Sequence, residues 1–150
     1  MSIEFDTGLG ISISLREGAG ALAESSAGPH SRQYSLRNGD LVSIVRDDAA
    51  ATNLAGLIAW TERMADFYVR EFGAVEEMQG SINAQGTGNR GFAHSVAFRD
   101  AEDVPRRATL IGTLLGGGIF AGITLLTVNA GQPLDAALVQ ELVDGLEPAS

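Results

Sequence analysis

Apolar and polar residues alternate in several short stretches of the chain, and this period of two is typical of β-strands with one face in a core. Short alternating stretches fill residues 1–15 and are broken by glycines at positions 8 and 10. Residues 33–36 and 41–46 flank the pair Asn38-Gly39. Both residues of that pair tolerate the positive φ of a tight turn. The pattern therefore predicts strands at the N-terminus, followed by a β-hairpin.

Residues 48–72 have a helical period instead, because apolar residues recur there at steps of three and four. Asp48 or Thr52 is expected to cap the start of this helix. Gly73 stands where a left-handed residue commonly ends a helix. The apolar stripe of the predicted helix consists of Leu54, Leu57, Ile58, Thr61, Met64, Ala65, Tyr68 and Phe72.

The segment 108–128 is uncharged and long enough to cross a bilayer as a helix. Gly112/Gly116 and Gly118/Gly122 also match the small-residue spacing of packed membrane helices. Three adjacent glycines at 116–118 would each cost about 1 kcal/mol in a helix, however, and β-branched residues are frequent on both sides. We therefore expect two antiparallel strands that turn at these glycines, with a membrane-spanning helix as the alternative.

The remaining pattern predicts strands at 75–82 and 90–99. It also predicts a short helix with Pro133 at its first position and an apolar stripe over 134–146. Strands interrupted by few helices indicate an α+β fold. We expect a single domain, residues 1–150, in which one long helix and one short C-terminal helix pack on an antiparallel sheet. Residues 16–31 are rich in Gly, Ala and Ser and are predicted to form a flexible loop.

Composition narrows the functional classes. The chain is 45% hydrophobic, which suffices for a core, and its formal charge of −9 would repel a nucleic-acid backbone. The absence of cysteine excludes disulfides, thiol catalysis and cysteine-bound metals. The amino terminus carries acids where a signal peptide would be basic, so we expect a cytoplasmic location.

Candidate catalytic features are sparse. Residues 86–91 match the G-x-G-x-x-G motif, but a strand rather than a helix is predicted after it, so we interpret the segment as a flexible hairpin loop. Arg90 in that loop is a candidate contact for an anion. His94 lies on an apolar strand face, where a histidine is more often structural than catalytic. Neighbouring acidic pairs point to opposite faces of a strand and are interpreted as solvated surface. We expect no metal site and no cofactor.

A second line on the long helix carries two aromatic and two basic residues: Trp60, Arg63, Phe67 and Arg70. We expect this line to face the helix flank or outward, because the aliphatic stripe is wider and more continuous. The alternative is that Trp60 and Phe67 form the second flank of a wide buried stripe. Exposed aromatic rings beside arginines are a composition that protein interfaces favour. The line is therefore the candidate binding surface.

The predicted order of elements resembles the PsbP-like fold superfamily, which includes LpqN-type and EagR-chaperone-like domains. The resemblance covers residues 10–146 at the level of architecture, with the turn after Gly73, the loop near Thr87-Gly88-Asn89-Arg90 and the terminal helix in comparable places. It implies a non-catalytic domain that binds a protein or peptide on its sheet face.

We therefore expect a non-catalytic, adaptor- or chaperone-like domain whose partner is a protein or an apolar peptide, self-association included. Two alternatives stay open. One is a small-molecule-binding or enzymatic domain that uses the 86–91 loop and His94. The other is a membrane-anchored protein that spans the bilayer at 108–128.

Overall fold

The computed structural model describes residues 2–23, 30–128 and 130–149. The helices are α1 (Leu54–Phe72) and α2 (Ala136–Asp144). The strands are β1 (Ser2–Asp6), β2 (Ile11–Arg16), β3 (Gly20–Ala21), β4 (Ser31–Ser35), β5 (Leu41–Arg46), β6 (Val75–Ser81), β7 (Arg90–Arg99), β8 (Pro105–Leu115), β9 (Ile119–Thr127) and β10 (Leu146–Pro148).

The strands form two antiparallel sheets stacked in a three-layer α+β arrangement. Seven strands follow the order β3-β4-β5-β9-β8-β7-β6, and three follow β1-β2-β10. Side chains alternate across the large sheet, so that Leu110 and Phe120 pack under α1 while Ile111 and Ile123 pack under β2 and α2. The α+β class with antiparallel pairing is confirmed, and the strands divide into two sheets.

The glycine hairpin is confirmed. Strands β8 and β9 pair continuously from Arg107 opposite Thr127 to Leu115 opposite Ile119. Gly117 and Gly118 turn the chain with φ of 81° and 76°, which only glycine adopts freely. The alternative of a helix across 108–128 is therefore wrong, and no helix among the described residues is long and apolar enough to cross a membrane.

The other strand predictions are confirmed with small changes of boundary. β4 and β5 form the Asn-Gly hairpin, with Gly39 at φ 93°, and β6 and β7 occupy the predicted segments. The predicted loop 16–31 contains a short strand, since β3 pairs with Tyr34 and Ser35 of β4. Residues 24–29 lie outside the described part of the chain, so the flexibility of this loop stays a prediction.

Helix α1 starts at Leu54, six residues later than predicted. Its cap is Asn53, whose side chain accepts the N–H of Gly56 at 2.8 Å. Asp48 instead accepts the backbone N–H of Phe120 at 3.1 Å and pairs with Arg46, which ties the preceding loop to β9. Gly73 ends the helix in the left-handed conformation as predicted.

Helix α2 is shorter than predicted. Asp135 caps it by accepting the N–H of Leu138 at 3.0 Å, so the helix begins after Pro133 and Leu134. The chain then forms β10, a strand that the sequence pattern did not predict, and this strand pairs with β2. The pairing completes the small sheet.

Two glycines facing each other across β8 and β9 determine how α1 sits on the large sheet. Gly112 pairs directly with Gly122, and the missing side chains leave a depression on the α1 side. Leu57 lies over Gly112, and the Trp60 ring lies over Gly122 and packs edge-on against Phe120 at 5.2 Å between ring centroids. The depression therefore accepts the largest side chain of the helix.

Candidate functional site

Four aromatic rings cluster where the C-terminal end of α1 meets the end of β7. Phe67 and Tyr68 are adjacent on the helix, Phe72 lies one turn further on, and Phe98 comes from the strand. Phe72 stacks on Phe98 at 4.9 Å between centroids, Tyr68 lies 5.3 Å from Phe98, and Phe67 meets Tyr68 edge-on at 5.1 Å. We call these four residues the aromatic surface.

The aromatic surface is only partly covered by the rest of the chain. Phe67 is 49% exposed and Phe72 is 42% exposed, while Tyr68 and Phe98 are half-buried beneath them. Burial raises the pKa of the Tyr68 hydroxyl above its ordinary value. The two outer rings are therefore exposed and are held in place by the two inner ones.

An apolar groove continues the aromatic surface towards the end of the sheet. It has a volume of about 450 Å³ and is lined by Phe72, Val75, Ala97, Phe98, Pro105 and Ala130 among others. Val75, the first residue of β6, is 69% exposed. Rings and groove together form one continuous apolar area of the kind that marks interaction sites.

Arginines surround this apolar area and are held by acids of the same chain. Arg70 pairs with Asp66 at 2.8 Å one turn earlier on α1. Arg106, in the groove wall, pairs with Asp100 at 2.8 Å, and the backbone N–H of Val104 together with Arg106 lowers the pKa of that carboxyl. The rim is consequently polar and ordered around an apolar centre, as in protein interfaces.

The structure exposes only part of the predicted surface line on α1. Phe67, Arg63 and Arg70 are exposed as expected, but Trp60 is 7% exposed and belongs to the core under α1. The expectation for Trp60 was wrong because the depression at Gly112 and Gly122 turns this flank of the helix towards the sheet. The same rotation exposes three residues assigned to the buried stripe: Leu54, Met64 and Phe72.

Sequence reasoning missed Phe72 and Phe98 as surface residues. Phe72 was assigned to the buried stripe, and Phe98 continues a buried alternation on β7. The signal in the sequence was position, since both residues lie at the end of an element. Phe72 is the last residue of α1 before Gly73, and Phe98 lies next to the last residue of β7, before the loop at Asp100. Aromatic residues at the ends of helices and strands have fewer neighbouring residues to cover them.

The enzymatic alternative needs His94 and the 86–91 loop to meet, but the two face opposite sides of the large sheet. His94 faces α1, whereas the loop rests on the opposite layer through Asn89, which donates to the carbonyl of Leu146 at 3.2 Å. Arg90 is exposed at the start of β7. The arrangement does not bring these residues together as one site.

His94 lines an open cleft between α1 and the edge of the sheet. The cleft has a volume of about 450 Å³ and carries Glu62 and Asp66 from α1 and Glu76 from β6 over a floor of Ala65, Val69 and Val96, with Arg63 at its side. We call it the acidic cleft. Its lining includes no hydroxyl, thiol or amine nucleophile, and no group of side chains among the described residues fits a metal ion.

The His94 imidazole is incompletely bonded. The residue is 8% exposed, Nε2 lies 3.5 Å from a Glu76 carboxylate oxygen, and the buried Nδ1 has no hydrogen-bond partner among the described residues. A buried polar atom without a partner costs about 1–3 kcal/mol. His94 is thus less favourable for stability than an apolar residue of the same size.

We expect His94→Leu to leave the free energy of unfolding unchanged or to raise it by about 1 kcal/mol, because it removes the unpartnered nitrogen at similar volume. His94→Ala, the control, should lower it because a cavity remains. Urea unfolding monitored by circular dichroism measures both. A His94→Leu protein destabilised as much as His94→Ala would show that the imidazole makes a favourable interaction.

Comparisons with known proteins support the fold. No protein-family model matches the sequence, and no curated protein matches it. The solution structure of cyanobacterial PsbP (CyanoP) from Synechocystis sp. PCC 6803 is similar, with a TM-score of 0.67 over 98% of this chain and 92% of that chain. The identity is 12%, so the similarity concerns architecture. The chain has a PsbP-like fold, as the order of elements predicted.

Proposed function

We propose that this PsbP-like chain is a non-catalytic binding module whose partner, a protein or a peptide, docks on the aromatic surface. The observation that carries the proposal is the pair of half-exposed rings, Phe67 and Phe72, fixed on Tyr68 and Phe98. Rings that are already ordered lose little conformational entropy on binding, so their burial contributes fully to affinity. A cytoplasmic location is part of the same proposal.

The surroundings of the two rings support a macromolecular partner. Binding hot spots are aromatic or arginine residues in a dry centre with a polar rim. Here the apolar centre extends from Phe67 through the groove to Val75, and Arg70 and Arg106 lie at its rim. The area is open and elongated rather than enclosed, which fits a protein surface or a peptide better than a small molecule.

The double variant Phe67→Ala/Phe72→Ala tests the proposal. The partner is first captured from the native host on immobilised wild-type protein, then purified, and its dissociation constant is measured by calorimetry. We expect the variant to bind at least tenfold more weakly, since each buried ring contributes on the order of 1–2 kcal/mol. Ile3→Ala, an exposed apolar residue on β1, is the control and should bind like the wild type. Equal affinity of the double variant would contradict the proposal.

Self-association is tested separately with the same variants. Sedimentation equilibrium at increasing concentration gives the oligomeric state of the wild type and of Phe67→Ala/Phe72→Ala. A wild-type dimer that the variant converts to monomer would identify a second copy as the partner. A dimer that persists in the variant would place self-association elsewhere on the molecule.

A cavity of about 530 Å³ favours small-molecule binding as a second candidate function. It lies between the large sheet and α2, with apolar walls of Leu36, Leu125 and Leu138. Arg107 lines it while 5% exposed, and Arg37 lies at its mouth. A carboxylate with an apolar chain fits these walls. We expect octanoate, and not octylamine, to raise the melting temperature if this function holds, and Arg37→Gln to weaken the shift.

A further inference from the structure

The edge strand β6 presents an unpaired backbone next to the aromatic surface. β7 is its one neighbouring strand in the described part of the chain, and six of its seven residues are exposed. The strand at the opposite edge, β3, has two residues. An exposed edge of this length is a template for pairing with another chain. The large sheet can therefore accept one more strand at β6.

Charge decides which kind of chain can pair there. β6 carries Glu76 and Glu77, and a bulge lies between Glu76 and Met78. A second copy would bring another net charge of −9 to the seam together with its own Glu76 and Glu77. The repulsion between like charges disfavours self-pairing. It favours an extended segment that carries positive charge.

The acidic cleft lies directly beside β6 on the side of α1. Its carboxylates come from Glu62, Asp66 and Glu76, and Asp66 is shared with Arg70. The apolar floor suits the methylene stem of a long basic side chain, whose charged end would then reach Glu62 and Glu76. Arg63 is the single cation of the lining.

The unpartnered nitrogen of His94 is an independent sign that this cleft takes a ligand. Nδ1 is buried in the cleft wall without a hydrogen-bond partner, while Nε2 is directed at Glu76. A guanidinium carries five N–H donors in a planar fork, so one arginine can donate to two carboxylates of the cleft at once. The cleft therefore suits arginine better than lysine.

The apolar groove adds a second determinant along the same edge. Val75 begins β6 and lines the groove, whereas Glu76 and Gln79 face the acidic cleft side of the strand. Successive strand residues point to opposite faces, so the neighbours Val75 and Glu76 place the groove and the cleft at adjacent positions along the edge. A bound segment would therefore carry an apolar residue and an arginine at that spacing.

We propose that the partner contributes an extended segment that pairs with β6, placing an arginine in the acidic cleft and an apolar side chain in the groove. This inference rests on the proposed function, since it names the partner's chemistry for the same region. Main-chain hydrogen bonds to β6 would supply the affinity, and the arginine and the apolar side chain would supply the specificity.

The probe is a blocked synthetic peptide, Thr-Phe-Val-Arg-Val-Thr, with an Arg→Glu version and a version methylated on alternate backbone nitrogens as controls. Titration by NMR should show binding of the arginine peptide, at least tenfold weaker binding of each control, and slowed hydrogen exchange at the β6 amides. Glu62→Gln/Glu76→Gln should weaken binding at least tenfold, and Glu4→Gln/Glu147→Gln, which removes two exposed acids elsewhere, should not. Equal binding of the arginine and glutamate peptides, or protection outside β6, would overturn the inference.

The native partner separates this inference from the proposed function. If its binding depends on Phe67 and Phe72 but is unchanged in Glu62→Gln/Glu76→Gln, the aromatic surface is the site and the strand-pairing inference fails. If neither pair of substitutions affects the native partner, both fail. A concentration-dependent protection of β6 amides without peptide would identify a second copy at this edge and would overturn the choice of a basic segment.

Discussion

Trp60→Ala is expected to lower the free energy of unfolding by about 3–5 kcal/mol, the range for losing a large aromatic residue from a core. The ring fills the depression over Gly122 and packs edge-on against Phe120. Because glycine has no side chain that can move into the vacated space, the cavity should persist, which places the effect in the upper half of that range. Since Trp60 is the one tryptophan of the chain, denaturant unfolding is followed by circular dichroism.

Two further variants make the explanation specific. A Cβ added at Gly122 would lie 2.6 Å from Trp60 Cη2, so Gly122→Ala should cost about 1–3 kcal/mol through overpacking. Trp60→Leu/Gly122→Ala should cost less than the sum of its single changes, because the smaller side chain removes the overlap. Phe67→Ala, on the exposed face of the same helix, should cost under about 1 kcal/mol. An equal loss for Phe67→Ala and Trp60→Ala would contradict the assignment of Trp60 to the core.

Glu77→Gln is expected to lower the free energy of unfolding by about 1–3 kcal/mol at neutral pH, because Arg107 is buried while Glu77 is partly exposed. Arg107, on β8, is 5% exposed. Its Nε donates to a Glu77 oxygen at 2.5 Å, and its Nη2 donates to the carbonyl of Gln132 at 3.1 Å. Removing the carboxylate leaves a buried guanidinium without its counter-charge, which costs more than the pair contributes. Glu77→Leu/Arg107→Met, which removes both charges, should cost clearly less than Glu77→Gln. A larger loss in the double variant would contradict this account.

The same pair gives a pH dependence with a defined sign. Hydrogen bonds from Arg107 hold the pKa of the Glu77 carboxyl below its ordinary value of 4.5. A carboxyl with a lowered pKa in the folded state contributes stability above its unfolded pKa and loses it as the pH falls through the folded pKa. The stability difference between wild type and Glu77→Gln should therefore reach its full size at about pH 6–7 and should shrink below about pH 4. A difference independent of pH would show that the charge of Glu77 is not what stabilises the fold.

The sequence predicted those elements whose causes are local. The Asn38-Gly39 turn, the glycine turn before Ile119 and the end of α1 at Gly73 each depend on a few neighbouring residues, and all three are confirmed. The alternation on β7 depends equally on adjacent positions. Because these signals also fix the order of the elements, the PsbP-like architecture could be predicted although the sequence identity to a solved structure is 12%.

Features with distant causes could not be predicted in the same way. The strand β10 is three residues long and exists because β2 is available to pair with it. The start of α1 was misplaced because Asp48 is recruited by Phe120, which lies 72 residues away along the chain. Phe72 was missed for the same reason, since the orientation of α1 that buries Trp60 and exposes Phe72 depends on two glycines on β8 and β9.

The facing glycines of β8 and β9 also constrain how this sequence can change over evolution. A chain that gains a side chain at position 122 is expected to shrink residue 60 at the same time. Position 112 is coupled more weakly to residue 57, since an added Cβ would lie 3.3 Å from Leu57 Cδ2. Related chains should therefore show correlated substitution at these two pairs, one in a helix and one in a hairpin more than fifty residues later. Such covariation would link the helix to the hairpin without any catalytic or binding residue being shared.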